Sequence, residues 1–295
     1  MSERNFMQLL TDQLDDGNFL CIRLDADIPQ VGAIRLFSCI HETGLVAAYV
    51  LDASRYAGGL GRISLKHIIK FIHDVAPAVP VILQGIVPAT PGTAGRTAAE
   101  AFDDLGADAV VLTAYCDISL VEDFLERKDK GVIAVCKSSE PGSDFYQEPK
   151  VRVWVDGQGR SYLRPEGFKS VRRELRPVYQ HVAAHVATDW DRDRNCCIAM
   201  EAGQTGADIE VAKIRSAIGN TLPIMLMGSL GATSPLGPIV RAALNDHGWG
   251  ALVALTLDEF IDDYGVGMEA KVVADITELH EIVTELRPAL ATQPT

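Results

Sequence analysis

The sequence has little positive charge. Its 295 residues include 27 lysines and arginines against 40 aspartates and glutamates, which gives a formal net charge of −13. Nucleic-acid backbones and anionic membrane surfaces attract clustered basic side chains, so this balance argues against both as partners. We expect a small-molecule substrate instead, although acidity alone does not identify it.

Long apolar runs are also missing. Ala107–Leu112, for example, is interrupted by Asp108. It falls far short of the roughly 20 residues that a membrane-spanning helix needs. The segment 1–17 is polar and amphipathic, without the basic and apolar regions of a secretory signal. These absences predict a cytoplasmic protein.

Cysteine pairs and nucleotide-binding glycines are absent too. The cysteines lie at positions 21, 39, 116, 136, 196 and 197, none in a C-x-x-C pair and most within apolar segments. This pattern predicts reduced, buried thiols and no zinc site. No G-x-G-x-x-G motif follows the first predicted strand, which argues against a dinucleotide. We therefore predict neither a metal nor another cofactor.

Short apolar runs alternate with helical patterns along most of the chain. Eight of these runs have the continuous apolar character of buried parallel strands, and a helix follows each. The pattern predicts an α/β fold, a single (β/α)₈ TIM barrel over 1–295, with an open doubly wound sheet as the alternative. At about 150–164 the pattern changes to that of a β-hairpin insertion after the fifth strand, and a long helix is expected over Phe168–Ala187.

Several segments resemble the orotidine 5′-monophosphate decarboxylase family, in its longer bacterial branch, from about Asn18 to the C-terminal helix. The most specific match is Lys130–Ser143, K-G-V-I-A-V-C-K-S-S-E-P-G-S, which resembles K-G-V-F-V-L-C-R-T-S-N-P-G-S. Further matches are Leu20–Asp25 to L-C-V-G-L-D, Ala48–Asp52 to A-Y-K-P-N, and Gly106–Tyr115 to G-A-D-A-V-T-V-N-P-Y. The resemblance implies a TIM barrel and a homodimer.

The catalytic residues that the resemblance implies do not carry over. The family decarboxylates through two lysines and two aspartates, one lysine in A-Y-K-P-N and the rest in D-x-K-x-x-D. Here those four positions are Val50, Gln84, Ile86 and Ala89. Loss of CO₂ leaves a carbanion that an ammonium group must stabilise and protonate. The replacements also remove the carboxylates through which related barrels bind Mg²⁺.

The phosphate-binding residues of the family are likewise not matched. The family places an arginine after its eighth strand, where this sequence has Thr256, Leu257 and Asp258. A carboxylate beside a phosphate dianion is repulsive. Gly228 and Gly231 still offer backbone N–H groups at a helix N-terminus. We therefore expect a non-phosphorylated ligand.

Because function in this fold lies at the C-terminal ends of the strands, we take the candidate site from there. Asp25 also matches an aspartate that the family uses to hold ribose hydroxyls. Several of these side chains have an alternative structural interpretation, as helix caps for the acids, a turn for the serines, and core packing for the tyrosines. The candidate catalytic residues are Asp25, Asp52 and Glu201, and the candidate substrate-binding residues are Asp27, Tyr49, Gln84, Tyr115, Lys137, Ser138, Ser139, Gly228 and Ser229.

Three functions follow as hypotheses. The first is an enzyme of specialised, nucleoside-related metabolism, with a rebuilt site for a small cyclic substrate. The second is a non-catalytic homologue that binds a nucleotide or a protein partner. The third is residual orotidine 5′-monophosphate decarboxylation, which the missing lysines disfavour.

Overall fold

A computed structural model describes residues 5–24, 30–56, 58–157, 161–162, 172–228, 236–256 and 268–286. Eight parallel strands close into a barrel, and helices alternate with them, which confirms the predicted TIM barrel. The barrel strands are β1 Leu20–Leu24, β2 Val46–Asp52, β3 Val81–Gln84, β4 Ala109–Thr113, β5 Gly131–Lys137, β9 Cys196–Glu201, β10 Ile224–Met227 and β11 Ala251–Thr256. Around the barrel their order is β1-β11-β10-β9-β5-β4-β3-β2.

The helices pack outside the strands and bury their apolar faces against them. The apolar spacing of Leu65, Ile69 and Ile72 is an example, since all three are buried. The α-helices of the described residues are α1 Phe6–Asp15, α2 Gln30–Glu42, α3 Gly59–Val75, α4 Pro91–Ala99, α5 Glu122–Leu125, α6 Asp144–Gln147, α7 Val178–His185, α8 Ala207–Ile218, α9 Leu236–Ala243 and α10 Met268–Leu286. None of the helices described is long and apolar enough to cross a membrane.

The insertion after β5 is a three-stranded antiparallel sheet. Its strands are β6 Lys150–Val155, β7 Ser161–Tyr162 and β8 Arg172–Pro177, and β6 lies in the middle. The predicted hairpin is the β6–β7 pair, in which Trp154 lies opposite Tyr162.

The helix predicted over Phe168–Ala187 is wrong across 172–177. That segment pairs with β6 along its whole length, and the Arg173 guanidinium lies 4.3 Å from the centre of the Trp154 ring. The gain from sheet pairing outweighs the helical propensity of R-R-E-L-R. Helix α7 begins only after Pro177, whose fixed φ suits the position before a helix. The segment 163–171 lies outside the described residues.

Four cysteines are fully buried, as predicted: Cys21, Cys136, Cys196 and Cys197. Burial raises the pKa of the Cys21 thiol to about 12, and it raises the pKa of the other three as well. Thiolates are therefore disfavoured inside the barrel wall, and these cysteines act as small apolar side chains.

Asp191 links the stability of the barrel to pH. One of its oxygens, Oδ1, accepts a hydrogen bond from the backbone N–H of Cys196 at 2.9 Å, where β9 begins. Burial raises the pKa of this carboxyl from 3.8 to about 6, which means that the folded state holds the proton more tightly than the unfolded state. Its contribution to stability is therefore greatest below about pH 4 and is lost as the pH rises to about 6.

We expect Asp191→Asn to remove this loss, because asparagine keeps the acceptor oxygen and does not titrate. Between pH 4 and 7 the unfolding free energy of the wild type should fall by on the order of 2 kcal/mol relative to the variant. Urea unfolding at several pH values measures this difference, with the exposed Asp104→Asn as a control. Parallel pH curves for the wild type and Asp191→Asn would contradict the expectation.

Candidate functional site

Strand register determines which side chains face the inside of the barrel. Tyr49 on β2 packs against Phe37 of α2, with ring centres 4.8 Å apart, so it projects outward. Side chains alternate along a strand, so Val50 and Asp52 project inward. Arg23 of β1 is the register partner of Val50, and Gln84 of β3 is the partner of Asp52, so they share that face. The inward-facing side chains near the C-terminal ends of the strands line what we call the mouth.

One wall of the mouth is built around the Asp52 carboxylate, which is 8 % exposed. Arg23 Nη2 donates to Oδ2 at 3.0 Å, and Gln84 Nε2 donates to the same oxygen at 3.4 Å. The other oxygen, Oδ1, accepts from the Ser54 N–H at 3.0 Å and from the Ser54 hydroxyl at 2.6 Å. The carboxylate thus fixes the Arg23 guanidinium and the turn after β2 together.

Gly85 is required beside this cluster. Its backbone has φ +78°, a conformation that L side chains rarely adopt. A Cβ atom there would lie 2.6 Å from Asp52 Oδ1 and 3.0 Å from the Ser54 backbone nitrogen. The chain can therefore leave β3 close to the carboxylate only because this residue has no side chain.

The opposite wall of the mouth contains Glu201, the last residue of β9. Strands β2 and β9 are four strands apart in either direction around the barrel. Glu201 is the register partner of Met227 on β10, and Thr256 of β11 is the register partner of Arg23. Because β10 pairs with β11, Glu201 lies on the same inner face of the barrel as Arg23. The Ser139 N–H donates to Glu201 Oε2 at 2.6 Å, and the Ser139 hydroxyl makes a short hydrogen bond to the same oxygen.

The flanks between these two walls are largely apolar. The half-buried side chains Val111 and Val135 lie on one flank, and Met227 and Ala254 lie on the other. The mouth therefore has two polar walls facing each other across an apolar interior. Among the residues that the structure describes, no group of three or more histidine, cysteine, aspartate or glutamate side chains is placed to hold a metal ion.

Two expected site residues lie elsewhere. Tyr49 is fully buried between β2 and α2, in the core rather than in the mouth. Lys137 projects to the outer side of β5, because a register shift after Val135 makes it the partner of Met200 rather than of Glu201. Simple alternation from Val135 would have placed Lys137 in the mouth.

Lys137 is held by acidic side chains of the outer layer. It donates to Glu148 at 2.6 Å, lies 3.3 Å from Glu210 of α8, and covers the ring of Tyr179 at 4.8 Å. Burial alone would lower the pKa of Lys137, but these two carboxylates outweigh it and hold that pKa above its ordinary value. This lysine therefore joins the strand to α7 and α8.

Ser138 organises the turn after β5. Its N–H donates to the Gln147 side chain at 3.1 Å, its hydroxyl accepts from the Glu140 N–H at 3.1 Å, and its carbonyl accepts from the Ser143 hydroxyl at 2.9 Å. These contacts suit the turn role that was the structural alternative for this serine. Ser139, one residue later, is the serine that reaches the mouth.

Of the remaining predicted residues, the structure describes two and does not describe three. Tyr115 is 38 % exposed and donates its hydroxyl to the Cys136 carbonyl at 2.7 Å. Gly228 follows β10 with φ +92°, close to the backbone of Gly203. Asp25, Asp27 and Ser229 lie outside the described residues.

Arg23 is the functional candidate that sequence reasoning missed. The detectable signal was the match of L-C-I-R-L-D to L-C-V-G-L-D, in which an arginine stands where the family motif has glycine. An arginine within an apolar strand needs a partner, and Asp52 supplies it. The mouth thus retains a cation, on β1 rather than on β2.

Comparison with known proteins agrees with the strand-end motifs. No protein-family model matches the chain. It is 30 % identical to an orotidine 5′-phosphate decarboxylase of Aromatoleum aromaticum over 223 residues, covering 72 % of this chain and 73 % of that protein. It is 28 % identical to the orotidine 5′-phosphate decarboxylase of Ralstonia pickettii over 249 residues, covering 81 % and 82 %. A solved structure of Leishmania donovani OMP decarboxylase superposes with a TM-score of 0.73 at 24 % identity, covering 97 % of this chain and 99 % of that one.

The closed ring of eight parallel strands thus defines the class of protein, a (β/α)₈ barrel. The chain belongs to the orotidine 5′-phosphate decarboxylase family.

Proposed function

We propose that this chain is an enzyme whose mouth has been rebuilt for a small cyclic, non-phosphorylated substrate related to a nucleoside. The observation that carries the proposal is the joint replacement of the expected Lys/Asp array by Val50, Gln84, Ile86 and Ala89. None of these side chains can protonate a carbanion. The chain keeps the barrel of the family but lacks the four charged side chains of its catalytic array.

The shape and polarity of the mouth support this substrate class. Its apolar flanks suit the faces of a ring, and its two polar walls suit hydrogen-bonding groups on the ring edges. The Arg23–Asp52 pair is neutral as a unit, whereas Glu201 adds negative charge on the other wall. A phosphate dianion near Glu201 would be repelled.

We assign different roles to the two described carboxylates. Both oxygens of Asp52 already accept hydrogen bonds from Arg23, Gln84 and Ser54, so Asp52 positions Arg23 and the turn after β2. Glu201 is anchored through only one oxygen. Glu201 is therefore the general base in this proposal.

A ligand screen tests the proposal. Uridine, cytidine and adenosine are compared with their 5′-monophosphates by thermal unfolding. We expect at least one nucleoside to raise the midpoint by several degrees, since a ligand at 100 times its Kd stabilises by about 2.7 kcal/mol. The corresponding monophosphate should give a smaller shift. Ribose 5-phosphate controls for phosphate binding alone, and a consistent preference for the monophosphates would contradict the proposal.

A second candidate is orotidine 5′-monophosphate decarboxylation itself, which the names of the relatives favour. It requires a proton donor that does not come from the expected array. The two candidates differ in one measurable reaction, the turnover of orotidine 5′-monophosphate by the purified protein.

We also propose that the protein is a homodimer that works in the cytoplasm. The dimer rests on family resemblance, and the location rests on the buried free cysteines, which are typical of proteins in a reducing compartment. A monomeric mass in light scattering at micromolar concentration would contradict the dimer.

A further inference from the structure

We infer that Glu201, held by Ser139, recognises an N–H donor on the substrate ring, such as an amidine or ring-amino group. A carbonyl or carboxylate at the same place is disfavoured. The inference rests on the proposed function, because it names the substrate class of the same site.

The hydrogen bonds of Glu201 leave one oxygen for a ligand. Both donors of Ser139, its N–H and its hydroxyl, point to Oε2. Oε1 accepts no hydrogen bond from any side chain or backbone group in the described part of the chain. Glu201 is only half-buried, at the end of β9 on the mouth face. The carboxylate is thus oriented by one oxygen and presents the other.

The described charge at the Glu201 wall of the mouth is negative. No described lysine or arginine forms an ion pair with Glu201. Arg23 is bound to Asp52 on the opposite wall, and Lys137 lies on the outer face with Glu148 and Glu210. A ligand carboxylate next to Glu201 would therefore meet a like charge in a partly desolvated site.

Ser139 cannot compensate by binding a ligand carbonyl. Its two donors are already engaged by Glu201, so a carbonyl oxygen would have to displace a charge-assisted hydrogen bond. An N–H group on the ligand can donate to Glu201 Oε1 without breaking either hydrogen bond from Ser139. The wall therefore selects donors over acceptors.

The test uses two ring compounds of the same size and opposite charge, benzamidine and benzoate. Their dissociation constants are measured by calorimetry with the wild-type protein. We expect benzamidine to bind at least about tenfold more tightly, the ratio that a charge-assisted hydrogen bond supports. Absence of saturable benzamidine binding, or tighter binding of benzoate, would overturn the inference.

Variants test whether Glu201 is the source of the preference for benzamidine over benzoate. Glu201→Gln should reduce the ratio of the two constants to within about threefold, since it removes the charge and keeps the shape. Glu140→Gln, an exposed carboxylate in the neighbouring turn, should leave the ratio unchanged. Ser139→Ala keeps the charge but frees its orientation, so the ratio should fall only in part. If Glu201→Gln does not fold, Ser139→Ala still decides, because an unchanged ratio in that variant contradicts the inference.

Failure of this inference differs from failure of the proposed function. If benzamidine does not bind while nucleosides still stabilise the protein better than nucleotides, only the role of Glu201 is refuted. If nucleotides are preferred, the proposed function fails, whatever the benzamidine result.

Discussion

Purified protein should leave orotidine 5′-monophosphate unconverted under conditions in which a related decarboxylase completes the reaction. Removing a single preorganised group that stabilises transition-state charge costs about 10²–10³ in rate. Here Val50 and Ile86 stand where the family has its two lysines, and Gln84 and Ala89 stand where it has its two aspartates. We therefore expect a rate at least about 10⁴-fold below that of the comparison enzyme, corresponding to more than about 5 kcal/mol of barrier.

The measurement follows uridine 5′-monophosphate by chromatography, with the Ralstonia pickettii relative as the positive control. Both proteins are produced in a host that lacks its own decarboxylase, because traces of a fast enzyme would imitate slow turnover. Activity within 100-fold of the control would place a lysine of another segment in the mouth. That result would favour the second candidate function over the first.

The barrel could be predicted from sequence because its signal is local. Runs such as Ala109–Thr113 are continuous and mostly apolar, and this run forms strand β4. Segment 172–177 could not be predicted in this way. Its strand depends on pairing with Lys150–Val155, and strand β7 lies between the two segments in the sequence. Local propensity carries no information about such a partner.

The site was harder to predict because successive side chains of a strand point to opposite faces of the sheet. Asp52, Gln84 and Glu201 were found because they end strands whose inner face follows simple alternation. Lys137 was misplaced because a register shift between Val135 and Lys137 reverses its direction, and no sequence signal marks that shift. Arg23 was overlooked because it lies within a strand rather than at its end.

Gly131→Ala should destabilise the protein strongly, although the substitution adds only a methyl group. Gly131 begins β5, next to helix α1, and Phe6 of that helix is 1 % exposed. A Cβ atom at position 131 would overlap the Phe6 ring, so the ring would have to move. The Phe6 N–H donates to the Asp129 carbonyl at 2.9 Å, which ties the start of the helix to the same place. Overpacking of this kind costs about 1–3 kcal/mol or more.

A double-mutant cycle makes the prediction specific to this contact. Phe6→Ala alone should cost about 3–5 kcal/mol, because it empties a buried ring site. In the double variant the Cβ added at position 131 enters the space that the ring has vacated, so the total cost should fall below the sum by about 0.5–3 kcal/mol. Urea unfolding measures all three variants. Gly92→Ala, where an added Cβ meets nothing within 4 Å, should be neutral or slightly stabilising. Additive costs in the cycle would show that the added Cβ and the Phe6 ring do not compete for the same space.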